Sequence, residues 1–353
     1  MTDGKWRLSY MPPHDSVKRA VDIWKTCEDE GLDVVGAADS QNLMREMYVC
    51  LTAVALATSR VKIMTYCTNP VTRHPTVTAG AFVALQELAP GRLMMGIGTG
   101  DSALWSMGRK PAKIQQMRDY ILAVKALTRG ETVTWDGHTF KPAWADFEPF
   151  DLPIYVMCSG PKILRMAAEV ADGAVVHMGF APEDIAYARG IIDDGRRAAG
   201  KDPKGFDVWW NAYMVFDESY DAAAKRSFGW QTSWLTMGSL EGKGIPDKYK
   251  DKVVQLNADT HSLASVYRSR NREEVLIERA KELGIYDWLM SRSPRLLGTS
   301  DDIVNRLNEL GSGFDLKQWI LFILVGSERI GAGDEKRKEL IRKLGREVRP
   351  RLI

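Results

Sequence analysis

The stretch Leu93–Trp105, LMMGIGTGDSALW, decides the fold. An apolar run breaks there into glycines, a threonine and an acid, and two readings compete. A dinucleotide-binding turn, G-x-G-x-x-G, opens a helix directly after its strand and uses its third glycine for close helix–sheet packing. Gly96 and Gly98 fit, but the third position is Asp101, and the next clear helical pattern starts only near Ile114. The other reading is a buried strand whose C-terminal end carries small residues and a carboxylate, leaving room for a ligand. It fits better.

Working outward, short apolar runs alternate with helix-period segments. The runs are WRLSYM, LDVVGAAD, VKIMTYC, RLMMGIG, PIYVMCSG, GAVVHMG, FDVWWNAYMVF and KQWILFILVGS. Between them lie helical patterns starting at Ser16, near Met47, at Pro75, at Ile114, at Pro161 and at Pro182. Strands this continuously apolar are covered on both faces, as in parallel sheets. Their alternation with helices leaves a doubly wound sheet or a (β/α)8 barrel, and eight repeats favour the barrel. ETVTWDGHTFKP, around Asp136-Gly137, reads as a β-hairpin excursion from this pattern. The pattern loosens over about 227–293, read as a lid-like insertion, and a C-terminal helix is expected over about 334–349. The expected architecture is thus α/β, a single TIM barrel domain over 1–353.

Composition excludes several classes. Apolar residues make up 45%, charged residues 27%, and the formal charge is +2, ordinary for a globular protein and no case for nucleic acid or a membrane surface. The basic stretch EKRKELIRKLGREVRPRL mixes both signs at helical spacing and reads as a solvated helix face. No signal peptide or membrane-length apolar run is visible. Cys27, Cys50, Cys67 and Cys158 form no C-x-x-C pair and the five histidines no H-x-x-x-H, so a disulfide framework or metal site is not expected, and a cytoplasmic setting is.

In a barrel, chemistry gathers at the C-terminal ends of the strands. Those ends carry Met11-Pro12, Ala38-Asp39-Ser40, Cys67-Thr68-Asn69, Thr99-Gly100-Asp101, Ser159-Gly160-Pro161 and His177-Met178-Gly179. Ser159 and Gly160 precede a helix starting at Pro161, with Lys162 in its first turn. Unpaired N–H groups and a positive dipole end make this a natural phosphate seat; Ser159 acting only as a helix cap is the alternative. His177 would suit a proton donor or a hydrogen bond to a cofactor, or a structural bond to backbone. Asp39 is a candidate acid, a helix cap or an ion-pair partner of Arg45, and His74 is placed to organise the turn into the third helix. Trp209, Trp210, Tyr213, Trp230 and Trp234 are read as core or subunit interface, or as the wall of an apolar substrate pocket.

The segments CTNPVTRHPTVTAGAFVALQELAPGRLMMGIGTGDSAL, SGPKILRMAAEVADGAVV and LLGTSDDIVNRLNELGSGFD resemble the bacterial luciferase-like superfamily, nearest the branch of the methylenetetrahydromethanopterin reductases. The resemblance covers most of the chain and is weakest from Ser227 to Ser293. It implies a barrel with FMN, as FMNH2, or coenzyme F420 across its mouth. Carried over by position, Ser159, Gly160, Pro161 and Lys162 would hold the cofactor phosphate, Pro161 having no N–H to give. Thr99 and Gly100 would line the ring, with Thr68, His177, Met178 and Gly179 around it. Tyr66 and Cys67 would form a cis peptide bulge beneath it. Asp39 matches the acid that faces the cofactor in deazaflavin enzymes, and Asp101 an active-site Glu of a deazaflavin-dependent sugar dehydrogenase. Ser40 and Leu104 replace that enzyme's His and Asn, which argues against sugar oxidation.

The expected function is a flavin-dependent oxidoreductase, foremost a two-component monooxygenase using FMNH2 and oxygen on a small apolar or aromatic organic substrate. A separate NAD(P)H-dependent reductase would supply the reduced flavin, with Asp39, Asp101 and His177 handling protons. The alternatives are an F420-dependent hydride-transfer enzyme and a non-catalytic flavin-binding protein. By resemblance the chain is expected to form a homodimer or homotetramer.

Overall fold

The computed structural model describes residues 5–12, 14–144, 146–236, 240–258, 272–325 and 333–353, with only the backbone of Ser233, Thr236, Asn257 and Arg272. Eight parallel strands form a closed barrel: β1 (Arg7–Tyr10), β2 (Val34–Ala37), β3 (Lys62–Thr68), β4 (Leu93–Ile97), β7 (Ile154–Cys158), β8 (Gly173–Val176), β9 (Asp207–Phe216) and β11 (Gln318–Ile323). β11 closes the ring, pairing with β1 from Arg7↔Gln318 and with β9 from Trp319↔Trp210. These are the eight apolar runs of the sequence. The excursion is a hairpin, β5 (Val133–Trp135) and β6 (His138–Phe140), whose turn residues Asp136 and Gly137 both have positive φ, 48° and 78°.

Each barrel strand is dry on two sides because it faces two cores. Outward, helices α1 (Val17–Asp29), α2 (Met47–Ala57), α3 (Pro75–Leu88), α5 (Ile114–Thr128), α6 (Pro161–Val170) and α7 (Pro182–Ala198) cover the sheet with apolar stripes. Inward, Met11, Met64, Met94, Tyr155, Trp209 and Ile320 fill the barrel. Unbranched methionines suit this tapering, irregular space. His74 does organise the start of α3, accepting the Thr76 N–H at 3.2 Å.

Four features depart from expectation. A one-turn helix, α4 (Ser102–Trp105), follows GTGD at once, well before Ile114. Strand β10 (Leu296–Gly298) pairs with the end of β9; three residues are too few to carry a periodic signal. The late insertion is helical: α8 (Tyr220–Gln231), α9 (Ser233–Thr236), α10 (Asp247–Ala258), α11 (Arg272–Glu282) and α12 (Tyr286–Ser291). It has its own apolar cluster around Phe228, Trp234, Leu276 and Ile285. After α13 (Ser300–Phe314), the C-terminal helix α14 (Asp334–Lys343) stops earlier than expected and continues as a wider turn, Leu344–Val348. This stretch is not simply a solvated face. Leu340, Ile341, Leu344 and Val348 are buried, and Arg346 and Arg349 reach back to Glu30 and Asp33, both at 2.9 Å.

Candidate functional site

The glycines that opened the sequence problem have three different jobs. A Cβ on Gly96 would strike the Thr65 carbonyl and the Met157 and Met64 methyl groups, so this glycine makes room inside the barrel. A Cβ on Gly98 would sit 3.1 Å from the Cys67 Sγ. Gly100 has φ +92°, and a side chain there would collide with Leu104. None of the three is arranged as a pyrophosphate clasp. Together they let the end of β4 lie close to β3, where the Tyr66–Cys67 peptide is cis and the pairing register shifts between Thr65 and Thr68.

Around that bulge the polar groups are tightly engaged. Asp39, 3% exposed, accepts from the Thr68 hydroxyl at 2.8 Å and the Gln41 amide at 2.6 Å, and forms an ion pair with Arg73. Arg73 also reaches Glu46 at 2.7 Å and lies 5.0 Å from the Tyr48 ring centroid. The ion-pair reading of Asp39 is therefore the observed one, with Arg73 in place of Arg45. A carboxylate so engaged ties the loops after β2 and β3 together. Asp101 caps α4 by accepting the Ser102 N–H, and the Ser102 hydroxyl meets Ser40 at 3.0 Å. Thr99 accepts the Ala112 N–H through its carbonyl at 2.8 Å. Burial, with Asp101 and Asp39 nearby, pushes the Cys67 thiol pKa up, so it stays protonated and is no nucleophile.

The helix start expected to seat a phosphate is open. Gly160 is the N-cap of α6, Pro161 is the first helical residue, and no side chain caps the helix. Ser159 as the helix cap is thereby excluded. The first N–H groups of a helix have no internal carbonyl to meet, so those of Lys162 and Ile163 remain for an anion. A Cβ built on Gly160 meets no atom within 4 Å. Lys162 is exposed and pairs with Glu241 of the insertion at 2.9 Å. These residues fit a phosphorylated cofactor: a helix start without a cap, clear space above it and an adjacent cation.

The third sector is the end of β8. The His177 backbone N–H donates to the Cys158 carbonyl at 2.8 Å, and the ring lies 6.1 Å from that of Tyr213. Burial and the neighbouring Lys243 ammonium lower its pKa to about 3. This corrects the expectation of a proton donor near neutrality, because both causes favour the uncharged imidazole. Met178 is buried in the outer core with Phe180 and Ile185, which removes it from the expected cofactor set. Gly179, φ +97°, lies against Asp184 and Trp234 and serves packing.

Phe322, Lys243 and Arg292 join the expected residues at the mouth. Tyr66, Phe322, Tyr213 and Trp230 form an aromatic wall with successive ring centroids 5.3–5.5 Å apart. Of the expected aromatic set, Tyr213 and Trp230 are in this wall, while Trp209, Trp210 and Trp234 are fully buried. Lys243, 3% exposed, donates to the Trp234 carbonyl at 2.6 Å, and burial lowers its pKa to about 8. Arg292 locks the insertion down. It is ion-paired with Asp184, donates to the carbonyls of Gly244 at 2.8 Å and Lys243 at 3.0 Å, and lies between the Trp234 and Trp288 rings.

Among the described residues no group of side chains could hold a metal ion, and no helix is long and apolar enough to cross a membrane. The luciferase-like monooxygenase family matches residues 3–317. The chain belongs to that family. The luciferase-like chain is 31% identical over 339 residues, 93% of its length, to the 5,10-methylenetetrahydromethanopterin reductase of Archaeoglobus fulgidus, covering 94% of it. It superposes with TM-score 0.73 and 22% identity on the coenzyme F420-dependent tetrahydromethanopterin reductase of Methanopyrus kandleri, covering 99% of this chain and 100% of that one. A monooxygenase of Streptomyces bottropensis gives TM-score 0.66 at 17% identity, covering 98% and 99%. The protein is thus a luciferase-like oxidoreductase on a TIM barrel.

Proposed function

We propose that the protein is a coenzyme F420-dependent oxidoreductase that passes a hydride between the deazaflavin and a small organic substrate, without oxygen. The observation that carries this reading is the full-length relationship, at 31% identity, to a methylenetetrahydromethanopterin reductase. The monooxygenase likeness, at 17% identity, speaks only for the shared fold. The weight therefore moves from the FMNH2 monooxygenase to the deazaflavin alternative.

A bound deazaflavin would supply the hydride-carrying ring. The helix start at Gly160, Pro161 and Lys162 would hold its phosphate. The Tyr66–Cys67 bulge, backed by Gly98, would support the ring from β3. Thr68 and Asp39, fixed by Arg73, keep the rim of β2 and β3 in place. Neutral His177 offers a hydrogen bond without adding charge beside the ring. The wall of Tyr66, Phe322, Tyr213 and Trp230 excludes water and offers an apolar or aromatic surface to the substrate. Ser40 stands where an alcohol-oxidising relative would need a base, which favours reduction of an unsaturated substrate. A separate reductase would recharge the cofactor.

The test is an anaerobic titration of the purified protein with coenzyme F420, FMN and FMNH2. Tighter binding of coenzyme F420 than of either flavin is expected. FMNH2 binding tightly while coenzyme F420 binds weakly would overturn the proposal in favour of the monooxygenase.

A further inference from the structure

Beside the phosphate seat lies a groove that the chemistry so far does not use. It has a volume of about 590 Å³, begins at Pro161 and Lys162, and runs down between α6 and α7. Ile114, Ala186, Tyr187 and Ile191 give it an apolar lining, while Lys162 and Arg165 place two cations along one side. They are three positions apart on α6, so they lie one above the other on the same helix face. Arg165 is exposed and makes no ion pair among the described residues. The one acid in the lining, Asp194, faces Arg197 at 3.3 Å.

Lys162 already shows which group it accepts. The carboxylate of Glu241, a glutamate side chain, sits on it at 2.9 Å, with both side chains largely in water. An exposed pair of this kind is weak and exchanges readily for another carboxylate. A ligand carrying glutamyl carboxylates past its phosphate would find the same partner, then Arg165 one turn further on.

The two candidate cofactors differ in this respect. The phosphate of FMN is a monoester that ends the molecule. In coenzyme F420 it is a diester, continuing through a lactyl unit into a chain of glutamates. We propose that the groove between α6 and α7 is the subsite for this acidic tail, with Lys162 taking the first carboxylate after the phosphate and Arg165 a later one. The proposal rests on the deazaflavin reading above and adds a specificity device to it: the groove selects a cofactor whose phosphate has something beyond it.

The experiment is a fluorescence binding titration of the whole protein with coenzyme F420 carrying several glutamates, with its glutamate-free phosphodiester form, and with FMN, at low and high salt. The glutamylated form is expected to bind about three- to tenfold tighter at low salt, the reach of a few exposed charge pairs. The gap should close at high salt, where such pairs are screened. Arg165→Glu should erase the gap while leaving the glutamate-free form at wild-type affinity; Arg165→Ala should erase part of it. Arg165 is on the surface, so both variants keep the fold. Equal affinity of the two deazaflavins in the wild type, or an undiminished gap in Arg165→Glu, overturns the subsite and leaves the deazaflavin reading standing. If FMN binds and neither deazaflavin does, both fall together.

Discussion

The two ends of the barrel are built on opposite principles. At the N-terminal end, Asp207 gathers Arg7 at 2.8 Å, the Tyr155 hydroxyl at 2.9 Å and the Trp209 indole N–H at 3.1 Å, with the Arg7 guanidinium 5.2 Å from the Trp209 centroid. Large side chains and matched donors close that end. At the C-terminal end the loops that leave the strands carry small residues, such as Thr99-Gly100 after β4 and Ser159-Gly160 after β7, and the helix start at Gly160 has no side-chain cap. The closed end stores stability, and the open end leaves hydrogen-bonding capacity for a ligand. Tyr155 makes the contrast concrete: burial and Asp207 raise the pKa of its phenol, fixing it as a donor to the carboxylate.

Substitutions at the two ends should separate these roles. The largest effect is expected from Asp207→Ala, which strips an acceptor from three donors at the closed end. A loss of about 3 kcal/mol in chemical denaturation is expected, with cofactor affinity of the folded protein unchanged. Comparable losses of stability and affinity would show that the ends are not independent. Next is Gly160→Leu at the open end. Its φ of −162° suits any residue and its Cβ position is empty, so stability should hold. Cofactor affinity should fall by about tenfold, or ~1.4 kcal/mol, in the same titration. A drop in melting temperature without a drop in affinity would remove the phosphate seat.

The smallest effect concerns pH. The His177 pKa is lowered to about 3 by burial, with Lys243 contributing, against an ordinary value of 6.5. The unfolded chain therefore takes up a proton that the folded protein refuses as pH falls below 6.5. Stability is full at neutral pH and declines toward acid, by about 1 kcal/mol between pH 7 and about pH 5.5 once partial exposure is allowed for. Replacing His177 by Asn should flatten that part of the stability–pH curve. An unchanged slope would assign the acid sensitivity elsewhere, His14 being, among the described residues, the other histidine whose pKa burial lowers.

The same contrast explains what could be read from the sequence. The barrel was legible because each of its strands is a continuous apolar run, and its turns and helix starts carry local chemistry: Asp136-Gly137, Pro75, Pro161, Pro182. The helix start at Gly160 and Pro161 was legible for the same reason, being a run of consecutive residues. Asp39 was visible but its role was not, because the Arg73 that holds it belongs to another loop. His177 was visible too, but its charge state depends on burial and on Lys243, contributed by a segment that reads as polar and solvated. Arg292 and Asp184, more than a hundred positions apart, gave no signal at all. Local pattern reveals the scaffold, and partners supplied by distant loops reveal the chemistry.

The position of β11 has a consequence for how the chain is made. The strand that closes the barrel is the last of the eight to leave the ribosome, and the whole insertion is synthesised between it and β9. Until Gln318 emerges, β1 has no partner on one side and the nascent sheet is an open half-cylinder with an adhesive edge. By then the helices after Tyr220 and the short strand β10 are already available to pack on the end of β9. β10 takes the β8 side of β9, because Met214 pairs with Leu296 on one edge and with Ile323 on the other, so the edge kept for β11 stays open until the end of translation.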